Sequence, residues 1–452
     1  MRCAVHSAAL ALALLGAAQL AGAEPEAPRD QRGGTSRVQD VAQLAGAEPE
    51  APRDQRGGTS RAQDLAQLTS AEPEAPRGLW VLAEGSQRVL DAPDRVALLL
   101  ADARALGVTD LFVQVHRGGR AWFASRYADT TPFVAGRAAS GGADPLAALI
   151  DRATAQGLRV HAWVNVLNLA SNAQAPILVA LGRDAAIVDH KGRSLLDYPE
   201  YEVPQPDRRY YRMGTPAIWL DPATPGVAER LAATFGELAA RYPKLAGIHL
   251  DYVRYPDALP FTPGSRFGVG LAFGYGAKSR ERFQRETGLV APFHSDIANA
   301  EAWDAWRREQ ISALVARISA AVRAARPGIA VSAAVIPEPE RALTVDFQDW
   351  RAWLDAGWLD FAVPMLYARD PQRFRYGLET LRAAGAKRRL WIGVGAWLHA
   401  SDPSGAVAQL AQLAKPPRLG SVLFSWDALR ENPALLSALA TAELAAQTPA
   451  AP

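Results

Sequence analysis

The chain has 452 residues, of which 49% are hydrophobic and 21% are charged, and its formal net charge at pH 7 is +2. This length and composition are typical of a globular protein with one large domain or two ordinary ones. The near-neutral charge balance gives no sign of a nucleic-acid-binding surface. The sequence also lacks zinc-binding cysteine spacing, a P-loop and a GxSxG nucleophile elbow, so it offers no motif for those three kinds of chemistry.

Residues 1–23 have the three parts of a secretory signal peptide. Arg2 supplies a positive charge, an Ala/Leu-rich core follows, and Ala21-Gly22-Ala23 fits an A-x-A cleavage site. The apolar core is too short to span a bilayer, although an uncleaved anchor is the alternative. The only cysteine, Cys3, would leave with this segment. We therefore expect a secreted, periplasmic or extracellular protein with no disulfide and no membrane span after cleavage.

Residues 24–76 are dominated by a tandem repeat. The sequence LAGAEPEAPRDQRGGTSRVQDVAQ at 20–43 returns almost unchanged at 44–67, and a partial third copy begins at Leu68. The repeat is rich in Pro, Gly, Glu and Arg and has no hydrophobic face that a solenoid could bury. This composition predicts a disordered spacer between the signal peptide and the rest of the chain.

From residue 77 to about residue 446, short apolar runs alternate with longer stretches of helical period. Eight predicted strands lie at 79–84, 110–116, 158–166, 246–252, 329–336, 359–367, 389–397 and 420–427. Eight predicted helices lie at 93–106, 143–157, 225–242, 300–326, 346–356, 371–385, 403–414 and 432–445. Strict alternation predicts a parallel sheet of the α/β class, and eight units predict a (β/α)8 TIM barrel. An open doubly wound sheet is the alternative, but no Gly-rich fingerprint follows the first strand.

Two long insertions interrupt this alternation, at about 167–221 and 257–298. Each follows a predicted strand, so each should lie on the C-terminal face of the barrel, where barrel enzymes build their active sites. The first insertion is rich in aromatic residues, which either stack on sugar rings or pack the loop onto the rim of the barrel.

The fourth predicted strand, GIHLD, ends on a carboxylate. Because side chains alternate along a strand, Gly247, His249 and Asp251 should point into the barrel, with Asp251 at its mouth. A buried carboxylate is costly unless it is paired or used. Arg254, three positions later, could hold Asp251 ionised, although Asp251 could also serve only to pair with Arg254 or to cap the loop.

Other predicted strands also end on polar or aromatic residues. These residues are Glu84, Gln114, His116, His161, Trp163, Asn165, Tyr367, Trp397, Trp426 and Asp427, with Glu338 and Glu340 directly after the fifth strand. Any one of them has an ordinary structural explanation, and a lone histidine in such a strand is more often part of the core. Their clustering at one end of a barrel is typical of a binding or active site. A mixture of carboxylates, amides and aromatic rings suits glycoside hydrolysis, which uses two carboxylates.

Five motifs in order resemble the glycosyl hydrolase-like family 10. They are RGLWVLAE at 77–84, FVQVHRGGRAWFASRY at 112–127, HAWVN at 161–165, WLDPATP at 219–225 and GIHLDYVRYP at 247–256. The resemblance extends over the body from Arg77 onward and is strongest up to Pro256. It implies a TIM-barrel hydrolase of bacterial envelope or extracellular glycans, including peptidoglycan glycan strands already stripped of their peptides.

The resemblance also implies roles for particular residues. Asp251 matches the family's acidic residue on the fourth strand, and its other recurrent polar positions fall on Gln114, His161, Asn165, Asp221 and His249. Two departures stand out. His116 occupies a position where the family usually has arginine, and HLDY replaces the two consecutive aspartates of many relatives. By similarity to alpha-amylase-type barrels the second carboxylate should follow the fifth strand, which favours Glu338, while Glu340, Asp427 and Glu84 stay open.

These observations lead to the hypothesis of an exported, monomeric, endo-acting glycoside hydrolase that needs no cofactor or metal. Asp251 is assigned as nucleophile or base and Glu338 as general acid. The predicted substrate-binding residues are Gln114, His116, His161, Trp163, Asn165, Asp221, His249, Arg254, Tyr367, Trp397 and Asp427, and Trp219 and Trp426 are further candidate stacking platforms.

Two other functions fit the same residues. The first is a carbohydrate-binding barrel without catalysis, in which the aromatic residues bind sugar and Asp251 is a ligand. The second is a metal-dependent deacetylase or hydrolase that uses His161, His249 and Asp251, although no compact ligand motif supports it. The glycan and linkage, and retention or inversion at the anomeric carbon, are not determined by the sequence.

Overall fold

The computed structural model describes residues 75–260, 271–385 and 389–447. The predicted signal peptide and almost all of the predicted spacer, residues 1–74, lie outside these ranges. Within them, no helix combines the length and apolar character needed to cross a membrane.

Eight parallel strands form the centre of the fold. They are β1 Arg77–Val81, β2 Asp110–Arg117, β4 Arg159–Asn165, β6 Gly247–Asp251, β8 Ala330–Val335, β9 Phe361–Pro364, β10 Trp391–Gly395 and β11 Gly420–Phe424. Neighbours follow the order β10-β11-β1-β2-β4-β6-β8-β9. Two parallel bridges, Ala362–Leu390 and Met365–Gly393, join β9 to β10 and bring the sheet to near closure. The predicted (β/α)8 barrel is confirmed.

Helices connect these strands on the outside of the barrel. In chain order they are α1 Asp94–Ala105, α2 Thr131–Ala139, α3 Pro145–Thr154, α4 Pro176–Leu181, α5 Val227–Arg241, α6 Ala277–Thr287, α7 Ala300–Ala325, α8 Pro339–Thr344, α9 Trp350–Asp355, α10 Pro371–Gly385, α11 Ser404–Leu413, α12 Trp426–Glu431 and α13 Pro433–Gln447. The start of α3 shows why the sequence signals worked. Asp144 accepts a hydrogen bond from the Ala147 N–H at 3.0 Å, and Pro145 occupies the first helical position, where its missing N–H costs nothing.

The two insertions are built against each other. The short strands β5 Tyr211–Met213 and β7 Ala258–Pro260 come from different insertions and pair antiparallel. The His190 N–H of the first insertion also donates to the Ala272 carbonyl of the second at 2.9 Å. Because β4 and β6 are neighbours in the barrel, the loops that follow them start side by side and can pair in this way.

Aromatic rings occupy much of the barrel interior, where branched aliphatic residues usually dominate. Trp80, Phe112, Trp163 and Phe361 are all buried in one cluster. His161 stacks on Phe112 with ring centroids 4.7 Å apart. At the amino-terminal end of the strands, His161 Nε2 also lies 2.9 Å from Asp110 Oδ1. Burial raises the pKa of Asp110, but hydrogen bonds from His161 and Arg159 outweigh this and hold it below its usual range.

Gly247 is required by this ring packing. A Cβ atom at Gly247 would lie 2.4 Å from His161 Nδ1 and 2.9 Å from the Ala330 carbonyl oxygen. We expect Gly247→Ala to reduce the free energy of unfolding by about 1–3 kcal/mol, because neither the ring nor the neighbouring strand can move away easily. Urea denaturation would measure this change.

Gly236, inside α5, provides the matched control for this substitution. Its Cβ would meet nothing closer than the Ala321 carbonyl oxygen at 3.4 Å. Gly236→Ala should therefore leave stability unchanged or raise it by up to about 1 kcal/mol, as expected for Gly to Ala inside a helix. Equal effects of the two substitutions would contradict this account of the barrel interior.

Candidate active site at the barrel mouth

Asp251 lies at the carboxyl end of β6, at the mouth of the barrel, and only 8% of its surface is exposed. Trp163 Nε1–H donates to its Oδ2 at 3.0 Å, and the Tyr252 N–H donates to its Oδ1 at 2.7 Å. Burial raises the pKa of Asp251 to about 6, and the charge of Arg254 and the two hydrogen bonds only partly oppose this effect. The environment therefore favours a carboxyl group that keeps its proton into the weakly acidic range.

The residue after Asp251 has an unusual backbone. Tyr252 has φ of 52°, in the left-handed region that residues with a Cβ seldom occupy. This conformation turns the chain directly after the carboxylate, and it brings the Tyr252 N–H back to Asp251. Strain of this kind persists where surrounding contacts over-determine it, which is frequent at functional sites.

A line of amide groups runs along the mouth from β1 to β6. Gln114 Nε2–H donates to Asn165 Oδ1 at 3.1 Å, and Gln114 Oε1 accepts from the Ala83 N–H at 3.3 Å. Asn165 is the register partner of Asp251 across the β4–β6 pair. The structure thus brings the predicted residues Gln114, Trp163, Asn165 and Asp251 into one buried polar group.

Tyr367 and Trp397 form an aromatic wall at the same mouth. Their ring centroids are 4.8 Å apart in an edge-on arrangement, and both side chains are half-buried. Burial, together with the charge of Asp251, raises the pKa of Tyr367 well above its ordinary value. Tyr367 therefore lies near Asp251, and Trp397 packs against Tyr367 with part of its ring exposed.

The RGGR motif forms a two-residue hairpin turn between β2 and β3 Arg120–Ala121. Gly118 and Gly119 have φ of 61° and 71°, which tight hairpin turns of this length require. Arg117 and Arg120 are register partners across the turn. Both form ion pairs with Glu84, which lies in the loop just after β1. The motif thus anchors Glu84, one of the alternatives for the second carboxylate, between two guanidinium groups.

Three predicted histidines lie away from the mouth. The β2–β4 pairing shifts register between Gln114 and His116, which places His116 opposite Val164 and packs its ring against Phe235 of α5 at 5.3 Å. Burial lowers the pKa of His116 to about 4. His161 contacts Asp110 at the opposite end of the barrel. His249 Nδ1 lies 2.9 Å from Ser332 Oγ inside the barrel, where burial keeps its pKa well below the ordinary value.

Two predicted carboxylates hold loops together. Asp221 accepts from Ser279 Oγ–H at 2.7 Å and from the Ala223 N–H at 3.0 Å, and burial raises its pKa to about 6. Asp427 accepts from the Gln87 N–H at 2.8 Å, which ties down the loop after β1. Both carboxylates are almost completely buried by these contacts and do not join the group around Asp251.

Three of the four predicted tryptophan platforms, Trp163, Trp219 and Trp426, are almost completely buried. Trp219 is fully buried beneath Arg254, whose guanidinium carbon lies 5.3 Å from the ring centroid. Trp426 is also fully buried and its Nε1–H donates to Asp102 of α1 at 2.8 Å.

Glu338 is exposed just before α8, and Glu340 is exposed in the first turn of that helix. None of these positions could be derived from the alternation of the strands, because each lies beyond a strand end.

Sequence reasoning missed several residues next to the site, namely Tyr252, Asp257, Arg341 and Asp346. Tyr252, Asp257 and Asp346 lie in loops, and Arg341 lies in the short helix α8, so strand alternation gives no information about their direction. The described ranges contain no group of three or more histidine, cysteine or acidic residues placed to hold a metal ion. The metal-dependent alternative therefore has no ligand set in this part of the chain.

The fold and this mouth define the class of protein. A (β/α)8 barrel that gathers a carboxylate, amides and rings at the carboxyl ends of its strands has the architecture of a barrel enzyme. Residues 76–389 match the family described as Glycosyl hydrolase-like 10, and the chain belongs to that family. It is a glycoside hydrolase-like protein.

Curated relatives agree with this family. The chain is 24% identical over 362 residues to Glycosyl hydrolase DigH of Escherichia coli (strain K12), covering 72% of this chain and 74% of that protein. It is 23% identical over 285 residues to Glycosyl hydrolase YngK of Bacillus subtilis (strain 168), covering 60% and 48%. The catalytic domain of beta-amylase from Paenibacillus polymyxa superposes with a TM-score of 0.51 at 12% identity, over 83% of this chain and 99% of that one. This last likeness concerns the fold alone.

The raised pKa of Asp251 predicts a pH-dependent effect of its replacement on stability. The folded-state value of about 6 exceeds the ordinary value of 3.8, so the folded protein retains a proton that the unfolded chain releases. The Asp251 contribution to stability is fully present below pH 3.8 and is lost as the pH rises toward and through 6. We expect Asp251→Asn to be more stable than the unchanged protein at pH 8, by up to about 3 kcal/mol.

Urea denaturation across this pH range would test the expectation. The two proteins should have similar stabilities near pH 3, where the carboxyl group is largely uncharged in both the folded and the unfolded chain, so this pH serves as the internal control. A difference in stability that stays constant from pH 3 to pH 8 would show that Asp251 does not titrate in this way.

Proposed function

We propose that this protein is an exported glycoside hydrolase that cleaves glycosidic bonds in a bacterial envelope or extracellular polysaccharide. The observation that carries the proposal is the buried Asp251 carboxyl group at the barrel mouth, bonded to Trp163 and bordered by Tyr367. Membership of the glycosyl hydrolase-like family supports the same reaction class. Export rests on the signal-like residues 1–23.

Asp251 is assigned the role of proton donor. A general acid must hold its proton near the operating pH, and a pKa of about 6 meets this condition. A nucleophile would instead need its hydrogen bonds and nearby cations to outweigh the effect of burial, and at Asp251 they do so only in part. The sequence alone favoured the nucleophile or base for Asp251, whereas its buried environment favours the opposite assignment. The donated proton would pass to the leaving glycosidic oxygen as the bond to the anomeric carbon breaks.

The second carboxylate is sought among acidic residues that keep access to solvent. Glu338 follows β8 and is exposed, and the ion-paired Glu84 is the alternative at the β1 end of the amide line. Asp427 is less suited to the role, because its oxygens accept from backbone N–H groups. A separation of about 5 Å from Asp251 in the bound state would give retention, and roughly 6.5–9.5 Å would give inversion.

The proposed substrate is a glycan chain rather than a small glycoside. The half-buried rings of Tyr367 and Trp397 offer an apolar face for a sugar ring, and the fixed amides of Gln114 and Asn165 lie nearby as hydrogen-bonding groups. Peptide-free peptidoglycan glycan is the first candidate within this class, and neutral polysaccharides are the others.

A carbohydrate-binding barrel without catalysis is the second candidate function. It is favoured by the number of acidic residues that serve structural contacts, since Asp110, Asp221 and Asp427 each hold neighbouring elements together. In that case Tyr367 and Trp397 would still bind sugar rings, and Asp251 would accept a hydrogen bond from a hydroxyl group.

Incubation of the full chain with peptide-stripped peptidoglycan glycans and with a panel of plain polysaccharides would test the proposal. Mass spectrometry should detect new oligosaccharides, and Asp251→Asn should lower the rate of their formation by about 100-fold or more, because a positioned acid contributes that much. The substitution preserves the shape of the side chain, so folding should be intact.

Asp102→Asn is the matched control for this experiment. Asp102 also accepts a hydrogen bond from a tryptophan Nε1–H, but it does so on the outer side of the barrel, at Trp426. Its substitution should leave the product profile unchanged. Glycan binding without products from any variant would instead support the binding barrel, and normal turnover by Asp251→Asn would remove Asp251 from the chemistry.

A further inference from the structure

Three buried charged residues, Arg254, Asp257 and Asp346, and the partly exposed Arg341 form a group near Asp251 that we call the charged cluster. Arg254 and Asp257 come from the loop after β6, and Arg341 and Asp346 come from the segment after β8. Arg341 Nη2–H donates to Asp257 Oδ2 at 2.7 Å, and Arg341 Nε lies 3.5 Å from Asp346 Oδ2. Ordinary surface ion pairs contribute little, but buried charges such as those of Asp257 and Asp346 strongly influence their neighbours.

Arg254 connects this charged cluster to the candidate active site. Its guanidinium group lies over the rings of Trp219 and Tyr252, with its carbon 5.3 Å and 5.2 Å from the two centroids. Its Nη1 lies 3.9 Å from Asp257 Oδ1, a charge contact without a hydrogen bond, and this is the carboxylate with which it forms an ion pair among the described residues. The positive charge of Arg254 nevertheless acts on Asp251 and also on Asp346.

Asp346 lies at the far side of the charged cluster and is fully buried. Neither of its side-chain oxygens accepts a hydrogen bond from the described residues, so only charge compensates its ionisation. Burial and the nearby Asp257 raise the pKa of Asp346 to about 7, while Arg341 and Arg254 oppose the rise. Glu338 adds a further negative charge at the exposed edge of the charged cluster.

This arrangement matters for an acid catalyst. A guanidinium group paired directly with a carboxylate lowers its pKa by about 1–3 units, which would leave the carboxyl group without a proton near neutral pH. Arg254 follows Asp251 by three residues, and its charge already lowers the pKa of Asp251 in part. Its pairing with Asp257, and the ring contacts that hold it there, limit its effect on Asp251.

We propose that Asp257 is a positioning residue that holds the Arg254 guanidinium away from Asp251 and so preserves the proton-donating form of Asp251. Arg341 fixes Asp257 from the other side, and Asp346 supplies additional negative charge when it ionises. The inference rests on the proposed function, since it concerns the acid of that reaction. The groups that face Arg254 are Asp251, Asp257, Asp346, Tyr252 and Trp219, and no histidine is among these.

The test follows the ionisation of Asp251 directly. The full chain is labelled with carbon-13 at the aspartate carboxyl carbons, and the Asp251 signal is assigned by its loss in Asp251→Asn. Its chemical shift is then titrated from pH 4 to pH 9 in the unchanged protein, in Asp257→Asn and in Arg254→Gln. We expect Asp257→Asn to lower the Asp251 midpoint by about 0.5–1 pH unit and Arg254→Gln to raise it.

The double variant Arg254→Gln, Asp257→Asn shows whether Asp257 affects the Asp251 midpoint through Arg254 or directly. If Asp257 acts through Arg254, removing Asp257 should move the Asp251 midpoint far less once the guanidinium group is gone. Asp102→Asn, on the outer side of the barrel, should leave the midpoint unchanged. An Asp251 midpoint that does not move in Asp257→Asn overturns the proposal, and so does a full shift that persists without Arg254.

The Arg254→Gln titration keeps the test decisive if Asp257→Asn does not fold, because an unchanged midpoint there also overturns the proposal. Turnover separates this inference from the proposed function. If the protein cleaves a glycan, the alkaline limb of its kcat/KM profile should move to lower pH in Asp257→Asn by the same amount as the midpoint. Altered titration without any glycan cleavage would contradict the proposed function while leaving the electrostatic link intact.

Discussion

The candidate site depends on the burial of one carboxyl group at the end of β6. Taking Asp251 out of water disfavours its charged form, and its two hydrogen bonds, from Trp163 and Tyr252, do not fully compensate. The cost of ionising the buried Asp251 carboxyl group explains the residues that surround it. Buried amides and rings fit around an uncharged carboxyl group, whereas an ionised one would require a closer cation than Arg254 provides.

The strand alternation predicted much of this arrangement. The alternation of eight apolar runs with eight helical stretches carried enough information to identify the barrel, because each run had to be buried and each helix had to cover it. It also located Asp251, Asn165 and Gln114 at strand ends, since alternation along a regular strand determines which face a side chain occupies. These are the residues that the structure brings together.

Alternation does not predict the direction of a side chain where a strand is irregular or where the residue lies beyond the end of the strand. One register shift in β2 turns His116 toward α5 instead of the mouth, and nothing in the residue pattern announces such a bulge. Asp427 and Trp426 follow the last strand, where the chain has already turned into a helix, so their directions depend on tertiary contacts. His161 faces inward as alternation predicts. It contacts Asp110 because it lies toward the amino-terminal end of the strands, away from the mouth.

Tyr252 shows how a backbone in a costly conformation ties these contacts together. Its left-handed φ brings its N–H to Asp251, while its ring lies under Arg254 and packs edge-on against Trp219 at 5.5 Å. Glycine would adopt this backbone more easily but would provide no ring to hold the guanidinium group. A tyrosine in a position that suits glycine therefore indicates that the ring is needed. The ring lies against the Arg254 guanidinium and so helps to set the distance of this positive charge from the buried Asp251 carboxyl group.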